Sequence, residues 1–99
     1  MSLSRIRLLP QAEADIKAAR RWYDSERPGL GEEFVEAVEE CFRRVASRPT
    51  AFPLVYKTAR KALVNRFPYC VYFVADGSRS NVVAVLHGKR APAIWQKRL

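Results

Sequence analysis

Two stretches in the second half of the chain have almost no polar interruption. Tyr69–Ala75 runs for seven residues without a charge, and Asn81–His87 is nearly as apolar. Between them stands Asp76-Gly77-Ser78-Arg79-Ser80, whose turn chemistry predicts a hairpin with a loop of several residues. Side chains alternate across a strand, so Tyr69, Val71 and Phe73 point one way and Cys70, Tyr72 and Val74 the other. Both rows are apolar, and both therefore need cover.

The first half has a different period. Arg5–Leu9 alternates and then turns apolar, which predicts a short first strand. Pro10 stands where a helix tolerates it, at the first position. From Gln11 to about Glu26, Ala12, Ile16, Ala19 and Tyr23 recur at spacings of four, three and four, one stripe of a helix that Trp22 widens. Arg27-Pro28-Gly29-Leu30-Gly31 breaks that pattern and joins it tightly to a second helix, from about Gly31 to Arg48. Its apolar face is Phe34, Val38, Cys41, Phe42 and Val45. Its glutamates crowd the first half and Arg43, Arg44 and Arg48 the second, as the helix dipole favours. Those glutamates read as a solvated face rather than a metal cluster.

Pro49 and Pro53 punctuate a loop over Thr50–Tyr56. The later part of Lys57–Val64 reads as a basic strand at an edge, where lysine discourages stray pairing. Asn65–Pro68 turns into the hairpin. Gly88 and the basic corner Lys89-Arg90 come after it, and Pro92 opens a last short helix anchored by Ile94 and Trp95. The order β-α-α-β-β-β-α predicts a single α+β domain over residues 1–99, with a helical hairpin on a mostly antiparallel four-stranded sheet. The first strand is expected to pair in parallel with Asn81–His87. The helices then cover one sheet face, and the other is expected to await a partner.

Composition narrows the function. No apolar run approaches the ~20 residues of a membrane helix, and the N-terminus lacks the apolar core of a leader, so a cytoplasmic protein is expected. Cys41 and Cys70 have no metal-ligand spacing and read as core residues of a reducing compartment. The net charge of +8 is one-sided: residues 1–49 hold nine Lys/Arg and nine Asp/Glu, whereas residues 50–99 hold nine Lys/Arg against Asp76 alone. An anionic partner, nucleic acid or acidic protein, fits that asymmetry.

Little here supports nucleophilic or metal chemistry, and no cofactor is expected. The single histidine, His87, has no second imidazole, and no phosphate-binding glycine loop is present. A metal-independent ribonuclease is the enzymatic option, with Lys61, Arg66, His87, Lys89 and Arg90 as its candidate groups for charge stabilisation and proton transfer. His87 reads equally as a hydrogen-bonded structural residue. Tyr69, Tyr72, Phe73 and Trp95 read either as base-stacking platforms or as sheet packing.

The run R-F-P-Y-C-V-Y-F at Arg66–Phe73, with V-A-V-L-H-G-K-R at Val83–Arg90 after it, resembles the ParE branch of the RelE/ParE toxin superfamily. The opening L-L-P-Q-A-E-A-D-I at Leu8–Ile16 and the pair Trp22-Tyr23 agree with it. The resemblance implies the toxin of a bacterial type II toxin–antitoxin pair, of the kind tied to plasmid stabilisation. A cognate antitoxin would neutralise it by folding an acidic, amphipathic segment onto its apolar and basic surface. ParE-type members block DNA gyrase, whereas RelE-type members cut messenger RNA on the ribosome. The nucleases carry an arginine just after the tyrosine that opens the central strand, and a tyrosine in the final segment. Here those positions hold Cys70 and, near the end, Trp95 and Gln96. Arg90 matches their late arginine and Lys61 a sheet lysine. Cysteine cannot stabilise phosphorane charge and tryptophan has no proton for acid–base work. Gyrase binding is therefore the expectation, with Arg60, Arg66, Tyr72, His87, Lys89, Arg90 and Trp95 as the surface for target or antitoxin. RNA cleavage, a basic nucleic-acid-binding module and an inert relative are the alternatives.

Overall fold

The computed structural model describes residues 5–99. Residues 1–4, part of the stretch that would hold a leader, lie outside it. Strand β1 (Ile6–Leu8) leads into helices α1 (Pro10–Glu26) and α2 (Leu30–Ser47). A single 3-10 turn, Pro49–Ala51, precedes strands β2 (Leu54–Tyr56), β3 (Ala59–Leu63), β4 (Tyr69–Asp76) and β5 (Arg79–His87). Helix α3 (Pro92–Gln96) comes last. The sheet has five strands in the order β1-β5-β4-β3-β2, with β1 parallel to β5 and every other pair antiparallel.

The helices begin and end where local chemistry places them. Pro10 opens α1 directly from extended Leu9, whose own N–H donates to the Val82 carbonyl at 3.0 Å. Gly29 turns the chain with φ of +89°. At Gly31 the helices come into contact: a Cβ there would lie 2.5 Å from the Arg20 carbonyl oxygen and 2.7 Å from the Asp24 carboxylate. The bare N–H of Gly31 instead donates to Asp24 Oδ1 at 2.8 Å, so the end of α1 caps the start of α2. The helix-side core joins Phe34, Val38 and Val45 of α2 to Val71 and Phe73 of β4 and Val82 and Val85 of β5. Burying each such side chain stabilises the fold by ~1.5–3 kcal/mol.

Four sequence expectations need correction. The sheet has a fifth strand, β2, inside the segment read as a loop; it is three residues long and its prolines mask its strand character. It takes the edge position assigned to β3. The hairpin loop is shorter than expected, because Asp76 pairs with Arg79 and only Gly77, at φ +62°, and Ser78 turn the chain. Trp22 does not widen the buried stripe; it is exposed and meets Tyr23 edge-on at 5.0 Å.

The second sheet face, expected to await a partner, is covered by the chain itself. Ala59, Cys70, Tyr72, Val83, Ala84, Leu86 and Trp95 form a second buried cluster there. Trp95 of α3 lies flat on Tyr72, with ring centroids 4.3 Å apart and planes 15° from parallel. The other edge of β5 is closed from further away. β1 ends at Leu8, opposite Val82. Beyond it Asp15 Oδ2 accepts from the Val85 N–H at 3.0 Å, and Arg98 Nη1 donates to the Val83 carbonyl at 3.1 Å. The two side chains are joined to each other at 2.7 Å. This nearly buried ion pair continues the ladder past the end of β1, at the bulge where Tyr72 pairs with Ala84 but Phe73 with Val82. It also ties the chain's last turn to its first helix.

Candidate functional site

The candidate residues gather at the end of the sheet where β4 begins and β5 ends. Tyr69 pairs with His87 across those strands, and their rings meet edge-on at 5.6 Å. The chain enters β4 through Asn65–Pro68 and leaves β5 through Gly88–Arg90. A hydrogen bond from Gly88 N–H to the Pro68 carbonyl, at 2.8 Å, joins the two loops. Arg66, Lys89 and Arg90 are all exposed on this end.

Their side chains are not equally free. Arg66 has φ of +72°, a left-handed conformation costly for a residue with a side chain. Glu33 of α2 holds it, with Arg66 Nη2 donating to Glu33 Oε1 at 2.9 Å. Arg27 reaches the other Glu33 oxygen at 3.3 Å. The hydrogen bond from Arg66, aided by the charge of Arg27, holds the Glu33 carboxyl below the usual glutamate range. His87 Nδ1 accepts the Lys89 backbone N–H at 3.0 Å. In that contact a neutral imidazole carries its proton on Nε2. Lys89 and Arg90 make no ion pair among the described residues.

Behind this rim lies an aromatic wall. Tyr69 packs on Phe34 at 4.9 Å and Tyr23 at 6.0 Å, and Phe67 closes the group against both Tyr23 and Phe34. Burial pushes the Tyr69 hydroxyl up despite the Arg90 charge, and burial with Tyr69 alongside does the same to Tyr23. Both phenols therefore stay protonated at neutral pH and cannot serve as bases. Sequence reasoning does not group these aromatic side chains of α1, α2 and β4 as a unit. The 3.6-residue stripe through Tyr23 and the strand row through Tyr69 are its only signals.

The other sequence candidates lie elsewhere. Tyr72 and Trp95 are buried against each other on the second sheet face and present no surface. Arg60 is on the helix side of β3 and donates to the Phe52 carbonyl at 2.7 Å, fastening the loop before β2. Lys61 pairs with Tyr72 on the far face and stays away from the rim. Cys70 belongs to the second core, and Cys41 is buried under α2, its thiol pushed up to about 11 by burial. Neither is placed as a nucleophile.

A separate groove opens between β1 and the two long helices. Ile6, Leu8, Ile16, Val35, Val38 and Phe42 line its apolar floor, and its volume is about 320 Å³. Glu13, Lys17, Arg20 and Glu39 give it a rim of mixed charge.

Fold and site together define a small basic α+β domain with one charged rim and one apolar groove. The family model for the ParE toxin of type II toxin–antitoxin systems, parDE, matches residues 6–92. The chain belongs to that family. No curated protein matches it. Among solved structures it is similar to the chromosomal ParDE toxin–antitoxin system from P. aeruginosa. That match has a TM-score of 0.75 at 16% identity and covers 86% of this chain and 96% of the other. At that identity the likeness speaks for the fold alone.

Proposed function

We propose that this ParE-family toxin arrests growth by binding DNA gyrase through its basic rim, without chemistry of its own, and that a cognate antitoxin neutralises it in the cytoplasm. One observation carries the preference for binding over RNA cleavage. Cys70 and Trp95, which stand where the nuclease branch presents an arginine and near where it presents a tyrosine, both pack inside the second core. The groups left at the rim are Arg66, already held by Glu33, His87, whose Nδ1 accepts the Lys89 N–H, and Lys89 and Arg90, which pair with no carboxylate among the described residues. Two exposed cations with no ion pair among the described residues suit an acidic protein surface. They lack the base that hydroxyl activation requires.

The groove between β1, α1 and α2 fits the antitoxin. Its apolar floor matches one face of an amphipathic helix, a common way for a disordered segment to fold on binding. Purified chain tests the choice of target. It should inhibit supercoiling by gyrase, and Lys89→Glu with Arg90→Glu should abolish that inhibition. Ribosome-dependent messenger cleavage that disappears in His87→Ala, with gyrase untouched, would move the chain to the nuclease branch.

A further inference from the structure

A second hollow lies on the far side of the molecule from the apolar groove, where the end of α2 meets the open edge of β3. Arg44, Phe52, Pro53, Val55, Lys61 and Leu63 line its deeper part, about 580 Å³. A continuation along α2 shares Arg44 and Phe52 and adds Arg43 and Arg48. The lining of this trough thus holds four cations and no carboxylate. Arg44 is engaged, with Glu40 at 3.0 Å and the Leu63 carbonyl at 2.9 Å. Arg43, Arg48 and Lys61 make no ion pair among the described residues.

The trough also exposes apolar side chains and open backbone. Leu63 is 62% exposed and Val55 42%, two of the five large apolar residues that remain exposed among the described residues. β2 pairs only with Ala59 and Arg60. Lys61 N–H still reaches back to the Pro53 carbonyl at 3.1 Å, but the pairing goes no further. Val64 N–H turns toward β4, at the Tyr69 carbonyl. By strand alternation the Leu63 N–H and the Lys61 carbonyl therefore face the trough, where β2 no longer reaches. An open strand edge flanked by aliphatic side chains is a template for one more strand.

We propose that this trough takes an extended acidic segment of a partner protein, laid beside β3 so that its backbone meets Leu63 and Lys61, its apolar row meets Leu63, and its carboxylates, on the alternate row, meet Arg43 and Arg48 on the helix side. The charge selects the occupant. A second copy of this chain brings another +8 and is repelled. Single-stranded nucleic acid would want a row of free aromatic platforms, and the one aromatic of the lining, Phe52, is half-buried and packed edge-on with Phe73. The inference rests on the reading of this chain as a toxin that works by binding proteins, but it concerns a surface separate from the rim and the groove.

The test uses a fluorescent synthetic peptide of alternating glutamate and valine, roughly ten residues long, enough to span the edge. The full chain should bind it, with hydrogen exchange slowed at the Leu63 amide. Leu63→Glu and Arg48→Glu, both at exposed positions, should each weaken binding by about tenfold or more. A peptide N-methylated on alternate residues should also lose binding. Equal binding by both variants, or by the N-methylated peptide, overturns the proposal. So does an oligothymidine of similar length that slows the same amide and displaces the peptide. Growth arrest is scored separately. A chain that arrests growth yet ignores the peptide overturns the trough alone, and one that holds the peptide without arresting growth overturns the proposed function alone.

Discussion

The two faces of the sheet are sealed by very different means. On one side lie α1 and α2, of 17 and 18 residues, which supply Tyr23, Phe34, Val38, Phe42 and Val45 to a broad core. On the other side a five-residue helix delivers Trp95, with Ile94 partly buried beside it, and Arg98 fastens the end of the chain to α1. Helices of the first kind are held by many interchangeable contacts. A helix of five residues has no stability of its own, so the second seal depends on the few contacts of Trp95 and Ile94 and on one ion pair. Single substitutions should therefore act more locally and more visibly on the α3 side.

Trp95→Ala should have the largest effect, a loss of about 3–5 kcal/mol in urea unfolding, comparable to Phe34→Ala on the helix face. The two should differ in kind. Trp95→Ala should raise dye binding to a native-like fold by uncovering Tyr72 and Leu86, whereas Phe34→Ala should leave dye binding low.

Next comes Arg98→Met, which strands the Asp15 carboxylate in a nearly buried position. It should cost about 3 kcal/mol, and Asp15→Asn added to it should restore a good part of that. Hydrogen exchange at the Val85 amide, which donates to Asp15, should speed up first.

A smaller effect probes both faces through pH. Burial raises the Cys41 thiol on the helix side from 9.0 to about 11, and the Tyr72 hydroxyl on the other side, with Cys70 contributing, from 10.0 to about 12. In each case the folded protein favours the protonated group. That stability is fully present below the unfolded value and is lost as pH rises through the folded one. Unfolding midpoints should thus fall between pH 9 and 11 through Cys41, and between 10 and 12 through Tyr72. Cys41→Ala should flatten the first part of the decline only.

The smallest change should come from Arg66→Gly. It relieves the left-handed backbone at the rim and removes the exposed pair with Glu33, two opposed effects that should leave stability within about 1 kcal/mol of the parent.

Periodicity in the sequence is enough for the helical hairpin, because a 3.6-residue stripe such as Phe34, Val38 and Val45 is a local property. The parallel pairing of β1 with β5 comes from the order of the elements. The cover of the second face does not. Ile94 and Trp95 mark α3 as an anchor, but nothing local says which surface an anchor meets. The partner of Arg98 stands 83 residues away, beyond any window of spacing. The intramolecular contacts of Arg60 and Arg66 are hidden for the same reason: a cation that fastens a loop reads in sequence like a cation awaiting a ligand. The tight turn at Gly77-Ser78 is hidden because Asp76 and Arg79 are turn-like residues serving as strand ends.

On the proposed function, this chain stops growth by binding rather than by cutting RNA. Pulse labelling after induction, without the antitoxin, tests it most directly. Thymidine incorporation should fall first, with methionine incorporation falling later and messenger ends unchanged. An immediate fall in methionine incorporation, with new messenger ends and DNA synthesis continuing, would contradict it.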